Sequence, residues 1–344
     1  MADVAIETRD ARGEWQPPKK IISSVWFQWP PKPIAILKRL FGKGGMLWRI
    51  YAAVAILFWF FLTPSMERMA SLSFDWIALI FLRNALFLTL VAGTLHLRLY
   101  VRRAQEKRYK YNEKWLSTHN KKFLFKNQAL DNAFFSLASG CTVWTGYEVL
   151  TLWAYANGWL PYVDIRTHPV YFVLLWIGIL FFRQIHFYWT HRFIHWKPLY
   201  KLAHYLHHKN VNIGPWSGLS MHPIEHLIYF SGVFIHSIVP SHPLHAIYHL
   251  TSVALAPAKG HSGFDKIVVG GEAGTENERI MGGADFFHYL HHKYFTVNFG
   301  NQDMAFDKWF GSYHDGSEES QAAMRIRRRR SKSDGSKARQ SQPE

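Results

Sequence analysis

The hexapeptide His-Tyr-Leu-His-His-Lys is written twice in the chain, at His204–Lys209 and at His288–Lys293. Each copy carries an HxxHH pattern: His204, His207 and His208 in the first, His288, His291 and His292 in the second. An HxxxH pair, His191 and His195, precedes the first copy, and 16 of the 20 histidines fall between His186 and His292. On a helix, residues three or four apart share one face. Each HxxHH is therefore expected to aim its three imidazoles at one point, and the HxxxH pair to aim two. Neutral imidazole is the commonest metal ligand and suits iron, zinc, copper and nickel. Two more histidines complete the candidate set, His222 in Met221-His222-Pro223-Ile224-Glu225-His226 and His261 in Gly260-His261-Ser262-Gly263-Phe264-Asp265. Ten imidazoles exceed what one ion takes, so a two-metal centre is the economical reading.

Rival chemistries explain less. Structural zinc sites favour cysteine, and the single cysteine, Cys141, lies in an apolar run, which also excludes a disulfide framework. Ferritin-like di-iron sites are built from Glu and Glu-x-x-His pairs, which do not occur here. His222-Pro-Ile-Glu225-His226 matches the inverted zinc-protease pattern HxxEH, but a one-zinc site leaves both HxxHH copies unexplained. Neither GxGxxG nor a P-loop is present, so nothing indicates a bound nucleotide. There is no fused haem or ferredoxin module, so electrons for redox chemistry would come from a partner. His186, His226, His245 and His249 read as outer or pocket-shaping residues, and His96, His119, His168, His236 and His314 as structural ones. Glu225, Asp265 and Asp285 are candidate acceptors for ligand N–H groups, each equally readable as a helix cap.

The elements that must position these residues are apolar. Of 344 residues, 49% are hydrophobic and 17% aromatic, heavy for a soluble protein. Four segments approach the roughly 20 apolar residues that a bilayer demands: Ile50–Met66, Phe74–Leu97, Leu130–Trp159 and Val170–Thr190. Two more apolar stretches, Ile224–Val239 and Pro243–Pro257, are interrupted by Pro240-Ser241-His242-Pro243 and predict a re-entrant hairpin or a shallow helix pair. The organisation expected is a basic N-terminal segment (1–45), a transmembrane region (46–190) with a basic loop (98–128), a histidine-rich domain (182–313) and a disordered basic tail (315–344). The net charge of +16 flanks the apolar runs, which points to a membrane surface rather than nucleic acid. Arg327–Arg330 would hold anionic headgroups. The N-terminus lacks the pattern of a secretory signal. The positive-inside rule puts both termini, the basic loop and the histidine clusters in the cytoplasm. Arg83 and Glu148 are intramembrane charges, read as a pair that sets helix packing, with a functional role as the alternative.

Five motifs in order (HRFIH at 191–195, HYLHH at 204–208, HPIEH at 222–226, HSGFD at 261–265 and HYLHH at 288–292) are followed by Asn298-Phe299-Gly300 and Asp307-Lys308-Trp309-Phe310-Gly311-Ser312-Tyr313. Over roughly 182–313 this series resembles the fatty acid hydroxylase/sterol desaturase superfamily of integral-membrane di-iron oxygenases. The sterol desaturase branch is the nearer, because the first motif is HxxxH and the HP and HSG motifs are present. The resemblance implies an all-α, multi-pass transmembrane helical bundle of about four spans plus a re-entrant or short helix pair, under a cytosolic histidine-rich helical cap. It implies two iron ions, with zinc as an alternative in isolated protein. Their ligands would be His191, His195, His204, His207, His208, His222, His261, His288, His291 and His292, with no catalytic residue beyond them. The implied reaction is hydroxylation or desaturation of a C–H bond in a sterol, isoprenoid or fatty acyl lipid, using O2. Electrons would come from a separate cytochrome b5-like or ferredoxin-like donor with its reductase, and the membrane would be a bacterial inner membrane or the endoplasmic reticulum. Two features depart from the pattern. His226 is an extra histidine, and the Gly-rich stretch 266–283 is long and expected to border the substrate entrance. The rivals are a membrane metal transporter or metal-binding protein, which would line its spans with histidine, and a catalytically inactive lipid-binding relative.

Overall fold

The computed structural model describes residues 8–10, 13–16, 21, 24–42, 46–271 and 275–327. Its helices are α1 (Pro33–Phe41), α2 (Met46–Phe61), α3 (Phe74–Val101), α4 (128–156), α5 (Pro169–Ile194), α6 (197–208), α7 (Pro223–Phe230), α8 (Pro243–Gly260) and α9 (Phe286–Tyr294). Local sequence explains several of their starts. Proline occupies the first turn of α1, α5, α7 and α8, where its missing N–H costs nothing. Asn127 caps α4 by accepting from the backbone N–H groups of Ala129 and Leu130. Two small antiparallel pairs, β1 (Thr8–Arg9) with β2 (Trp15–Gln16) and β3 (Lys266–Gly270) with β4 (Arg279–Gly282), make the chain mostly helical rather than strictly all-α. Residues 318–327 of the expected disordered tail are helical; the rest of that tail, 328–344, lies outside the described residues, as do Lys19, Lys20 and Lys43.

Among the described residues, α3 and α5 are long and apolar enough to cross a membrane, and α1 with α2, bent by 45°, would make a third span if counted as one. The third expected span, Leu130–Trp159, coincides with α4, which matches the others in length but is less apolar. Leu79, Leu82, Leu86 and Leu90 form an exposed stripe along α3. Water would not favour that much contiguous apolar surface, whereas lipid would.

Helix α8 departs from the expectation of a shallow or re-entrant pair. It is buried along nearly its whole length and packs against α2, α4 and α5 as the central helix of the bundle. Near its end, Gly218 lies so close that a Cβ there would meet the Pro257 carbonyl oxygen at 2.4 Å. Between α3 and α4, Arg83 and Glu148 pair as expected for a packing role. Asn84 donates to Glu148 Oε2 at 3.0 Å and to Thr145 Oγ1 at 3.2 Å, and the Arg83 guanidinium lies 4.1 Å from the centre of the Phe58 ring. A buried charge pair needs this complete a set of partners to offset its lost hydration.

Candidate metal centre

The bundle brings nine of the ten candidate histidines into two groups. His191, His195, His204, His208 and His291 form the first, and His207, His261, His288 and His292 the second; within each, the facing ring nitrogens all lie within 4.8 Å of one another. The expectation that each HxxHH serves one point is wrong in an instructive way. A helix turns about 100° per residue, so positions i and i+4 lie roughly 40° apart, whereas i+3 lies roughly 60° to the other side. His204 and His208 accordingly face the first group while His207 faces the second. In α9 the assignment is reversed, with His288 and His292 in the second group and His291 in the first. The two repeats are thus crossed, and each contributes to both groups.

In five of the nine rings the nitrogen turned away from the group is held. His191 Nδ1 lies 2.6 Å from the carbonyl of Phe299, His291 Nδ1 2.6 Å from that of Val297, and His207 Nδ1 3.3 Å from that of Ser220. A carbonyl only accepts, so each Nδ1 carries the proton and each Nε2 presents a lone pair inward. His261 reaches the same state by another route. Ser217 Oγ donates to the Gly214 carbonyl at 2.8 Å and is left to accept from His261 Nδ1 at 3.1 Å. His204 Nδ1 donates to Glu225 Oε1 at 2.7 Å. Burial pushes the Glu225 carboxyl well up and the His204 imidazole well down.

These side chains fit a metal. The Nε2 atoms of His195 and His291, and of His208 and His291, lie 3.1 Å apart, and those of His261 and His288 2.9 Å apart. With the outer protons placed as above, His291 and His261 turn lone pairs toward these neighbours, an arrangement that a cation between them relieves. Both ring nitrogens of His292 are buried without a partner, as is His208 Nδ1, and buried polar atoms left so are rare. Burial, reinforced by repulsion between the imidazoles, lowers His195 to about 2. Burial likewise lowers His207 to about 3, and His208, His261, His288, His291 and His292 well below the ordinary histidine value. The rings are neutral, the form that binds metal.

His222 stands outside both groups. Its Nδ1 accepts from the Ile224 backbone N–H at 3.2 Å, capping α7. In a neutral ring that leaves the proton on Nε2, so the nitrogen free to turn elsewhere has no lone pair. His226, the extra histidine, is tied to Ser139 Oγ at 2.9 Å and to the Leu219 carbonyl at 3.0 Å. The HxxEH reading therefore fails on geometry, since its two histidines serve the backbone and Glu225 serves His204. His186, His236 and His245 bond to Ser231, Ser241 and the Phe172 carbonyl. Of the three candidate acceptors only Glu225 faces a ligand. Asp285 caps α9 by accepting from Phe287 N, and Asp265 meets Tyr111. Ser217 and Asp307 were not singled out by sequence. Asp307 accepts from the backbone N–H groups of Phe299 and Gly300 at 2.9 and 2.8 Å, which aims the Phe299 carbonyl at His191. The signal for it was the closing Asp307–Tyr313 motif.

A cavity abuts both groups, bounded by Phe187 and His191 of α5, Ile228 and Tyr229 of α7, and Val253 and Ala256 of α8. An apolar chamber touching two imidazole clusters is the setting for redox chemistry on an apolar molecule.

Residues 176–312 match the fatty acid hydroxylase family. The likeness of this segment to that family and to sterol desaturases supports the fatty acid hydroxylase/sterol desaturase superfamily. Its similar relatives include Delta(7)-sterol 5(6)-desaturases. That of Eremothecium gossypii is 27% identical over 45% of this chain and 39% of the relative. That of Gibberella zeae is 32% identical over 39% and 36%, and that of Saccharomyces cerevisiae 26% over 44% and 39%. The chain thus spans about two fifths of the length of these desaturases. No solved structure matches it. The segment that matches the hydroxylase family contains all ten candidate histidines.

Proposed function

We propose that the chain is a membrane-bound di-iron oxygenase that hydroxylates or desaturates a C–H bond of a lipid. The observation that carries this reading is the pair of crossed imidazole groups, five of their rings held from outside by backbone, carboxyl or hydroxyl, opening on an apolar cavity. The similarity to sterol desaturases supports a sterol, with isoprenoid and fatty acyl lipids as the other members of the substrate class.

In this proposal His191, His195, His204, His208 and His291 hold one ion, and His207, His261, His288 and His292 the other. His222 is left to cap α7. Bound iron would supply the reduction of O2 and the oxidising power to break an unactivated C–H bond. The chain does the remaining work. Phe187, Ile228, Tyr229 and Val253 hold the lipid tail and exclude water. Glu225, Ser217 and the carbonyls of Phe299, Val297 and Ser220 keep the rings of His204, His261, His191, His291 and His207 in the metal-binding tautomer. Whether a hydroxyl or a double bond results depends on whether oxygen is transferred to the carbon that loses the first hydrogen or a second hydrogen is lost from its neighbour, and so on how closely the cavity wall places the two carbons. Electrons come from a separate cytochrome b5-like or ferredoxin-like donor with its reductase.

The scaffold proposed is four spans, formed by α1 with α2, α3, α4 and α5, with the histidine-rich part as a cap on the cytoplasmic side, beside both termini. The domain limits are those expected from sequence, 46–190 for the spans and 182–313 for the oxygenase part. Co-expression with donor proteins, followed by comparison of host lipids against a His207→Ala/His291→Ala variant, tests the reading. The expected outcome is an oxidised sterol, isoprenoid or fatty acyl lipid only with the unmutated chain. Identical lipid profiles across all three pools would overturn it.

A further inference from the structure

Arg183 stands on the apolar helix α5, two turns before His191. Among the described residues its guanidinium makes no hydrogen bond and no ion pair, and its Nη1 is buried without a partner. Gln184 beside it also makes no side-chain hydrogen bond among the described residues. The groups within electrostatic reach of Arg183 include the phenols of Tyr51, Tyr229 and Tyr248, none of which supplies a negative charge at neutral pH. A guanidinium set into an apolar bundle is costly unless an anion meets it.

Its surroundings make it a junction. The apolar cavity that touches the histidines adjoins a second, more polar one beneath α1 and α2, and the two share Arg183, Gln184, Ala256, Gly260, Asp285 and Asn301 as walls. The other charges of the polar cavity are already matched. Arg39 pairs with Asp303 at 2.5 Å. Lys259 Nζ donates to the Gly283 carbonyl at 2.6 Å and has Asp265 and Asp285 within electrostatic reach. Arg183, on the wall shared by the two spaces, makes no ion pair with these carboxylates among the described residues.

We propose that Arg183, with Gln184 beside it, binds the anionic head group, carboxylate or phosphate, of a single-chain lipid whose tail runs along α5 past Phe187 to the two histidine groups. The planar fork of arginine suits both oxyanions. Arg183, Phe187 and His191 are spaced four apart and share one face of α5. Eight residues of helix rise about 12 Å, which sets the scale of the distance from head group to reacting carbon. A neutral hydroxyl head, such as a sterol carries, would leave the guanidinium unmatched. The inference deepens the oxygenase reading, on which it rests for the fate of the tail.

The test is calorimetric titration of the purified full chain, in an uncharged detergent, with oleic acid, oleoyl lysophosphatidic acid and oleyl alcohol. The expected result is that one of the two anionic lipids binds at least about tenfold more tightly than the alcohol, a difference of about 1.4 kcal/mol, and which one does so separates carboxylate from phosphate. Arg183→Gln abolishes that preference without weakening the alcohol, and Arg183→Lys restores part of it. Should Arg183→Gln fail to fold, Arg183→Lys and Gln184→Ala carry the test, each narrowing the preference. Equal affinity for all three lipids, or equal weakening of all three by Arg183→Gln, overturns the proposal. Metal content is measured on the same preparations. A chain that binds no metal yet keeps the anion preference contradicts the oxygenase reading alone, and one that oxidises neutral lipids without any anion preference contradicts the head-group site alone.

Discussion

Among the described residues Glu225 is the carboxyl that bonds to a histidine of the two groups, His204, through Nδ1 at 2.7 Å. Its other oxygen is buried without a partner, so the group serves nothing but that imidazole. Loss of such an outer partner typically weakens metal binding about 10- to 100-fold. Glu225→Gln is therefore expected to weaken binding at the first group by that factor in chelator competition, while Asp265→Asn, whose carboxyl meets Tyr111, leaves it unchanged. Equal effects from the two variants would contradict the assignment. At this scale the gathering of nine of the ten candidate histidines into two groups is legible in the sequence, eight of them because HxxxH and HxxHH impose angular relations that hold on any helix. Two things are not legible. The crossing of the repeats depends on which elements face them, and the fate of His222 depends on whether its ring caps a helix or leaves it. Ser217 and Asp307 escape because they act through a backbone group or a hydroxyl, which no spacing rule marks.

At the scale of elements, α8 delivers His261 from the centre of the bundle, and its C-terminal end is held by the close approach of Gly218 to Pro257. A methyl group at 2.4 Å from the Pro257 carbonyl oxygen forces one backbone away from the other. Overpacking of this kind costs about 1–3 kcal/mol. Gly218→Ala is expected to lower the thermal midpoint of the detergent-solubilised protein and to disturb His261. Gly146→Ala, on α4 with nothing within 4 Å of the added carbon, should stabilise by about 0.5–1 kcal/mol. A Gly218→Ala midpoint equal to or above that of the parent would refute the close-packing account. Sequence pattern reads α8 as a shallow element because its apolar run is short and bounded by prolines. Its true place follows from burial on all sides, and a run buried all round carries no periodicity to announce it. The stretch 266–283 hides the β3–β4 hairpin for a related reason. Its glycines suggest a loop, yet Arg98 and Gln105 bond to the backbone of Val268 and Lys266 and hold the hairpin in place.

Over the whole molecule, a bundle with an exposed leucine stripe on α3 and a lone arginine at the cavity junction places an imidazole-walled chamber at the end of α5. The apolar character of α3 and α5 is plain in the sequence, while that of α4 is diluted by polar residues. Its Asp131 and Glu148 are buried and paired with Lys209 and Arg83, so the polarity that lowers its apolar character is turned inward. All of the proposed chemistry depends on both histidine groups holding metal. The direct measurement is metal content per chain, by mass spectrometry of the elements, for protein produced with iron and compared with two double variants. The account predicts two ions in the parent chain and about one in each of His204→Ala/His208→Ala and His288→Ala/His292→Ala, because the repeats cross and each pair of i and i+4 residues belongs to a single group. One ion or none in the parent chain, or two retained in either variant, would contradict it.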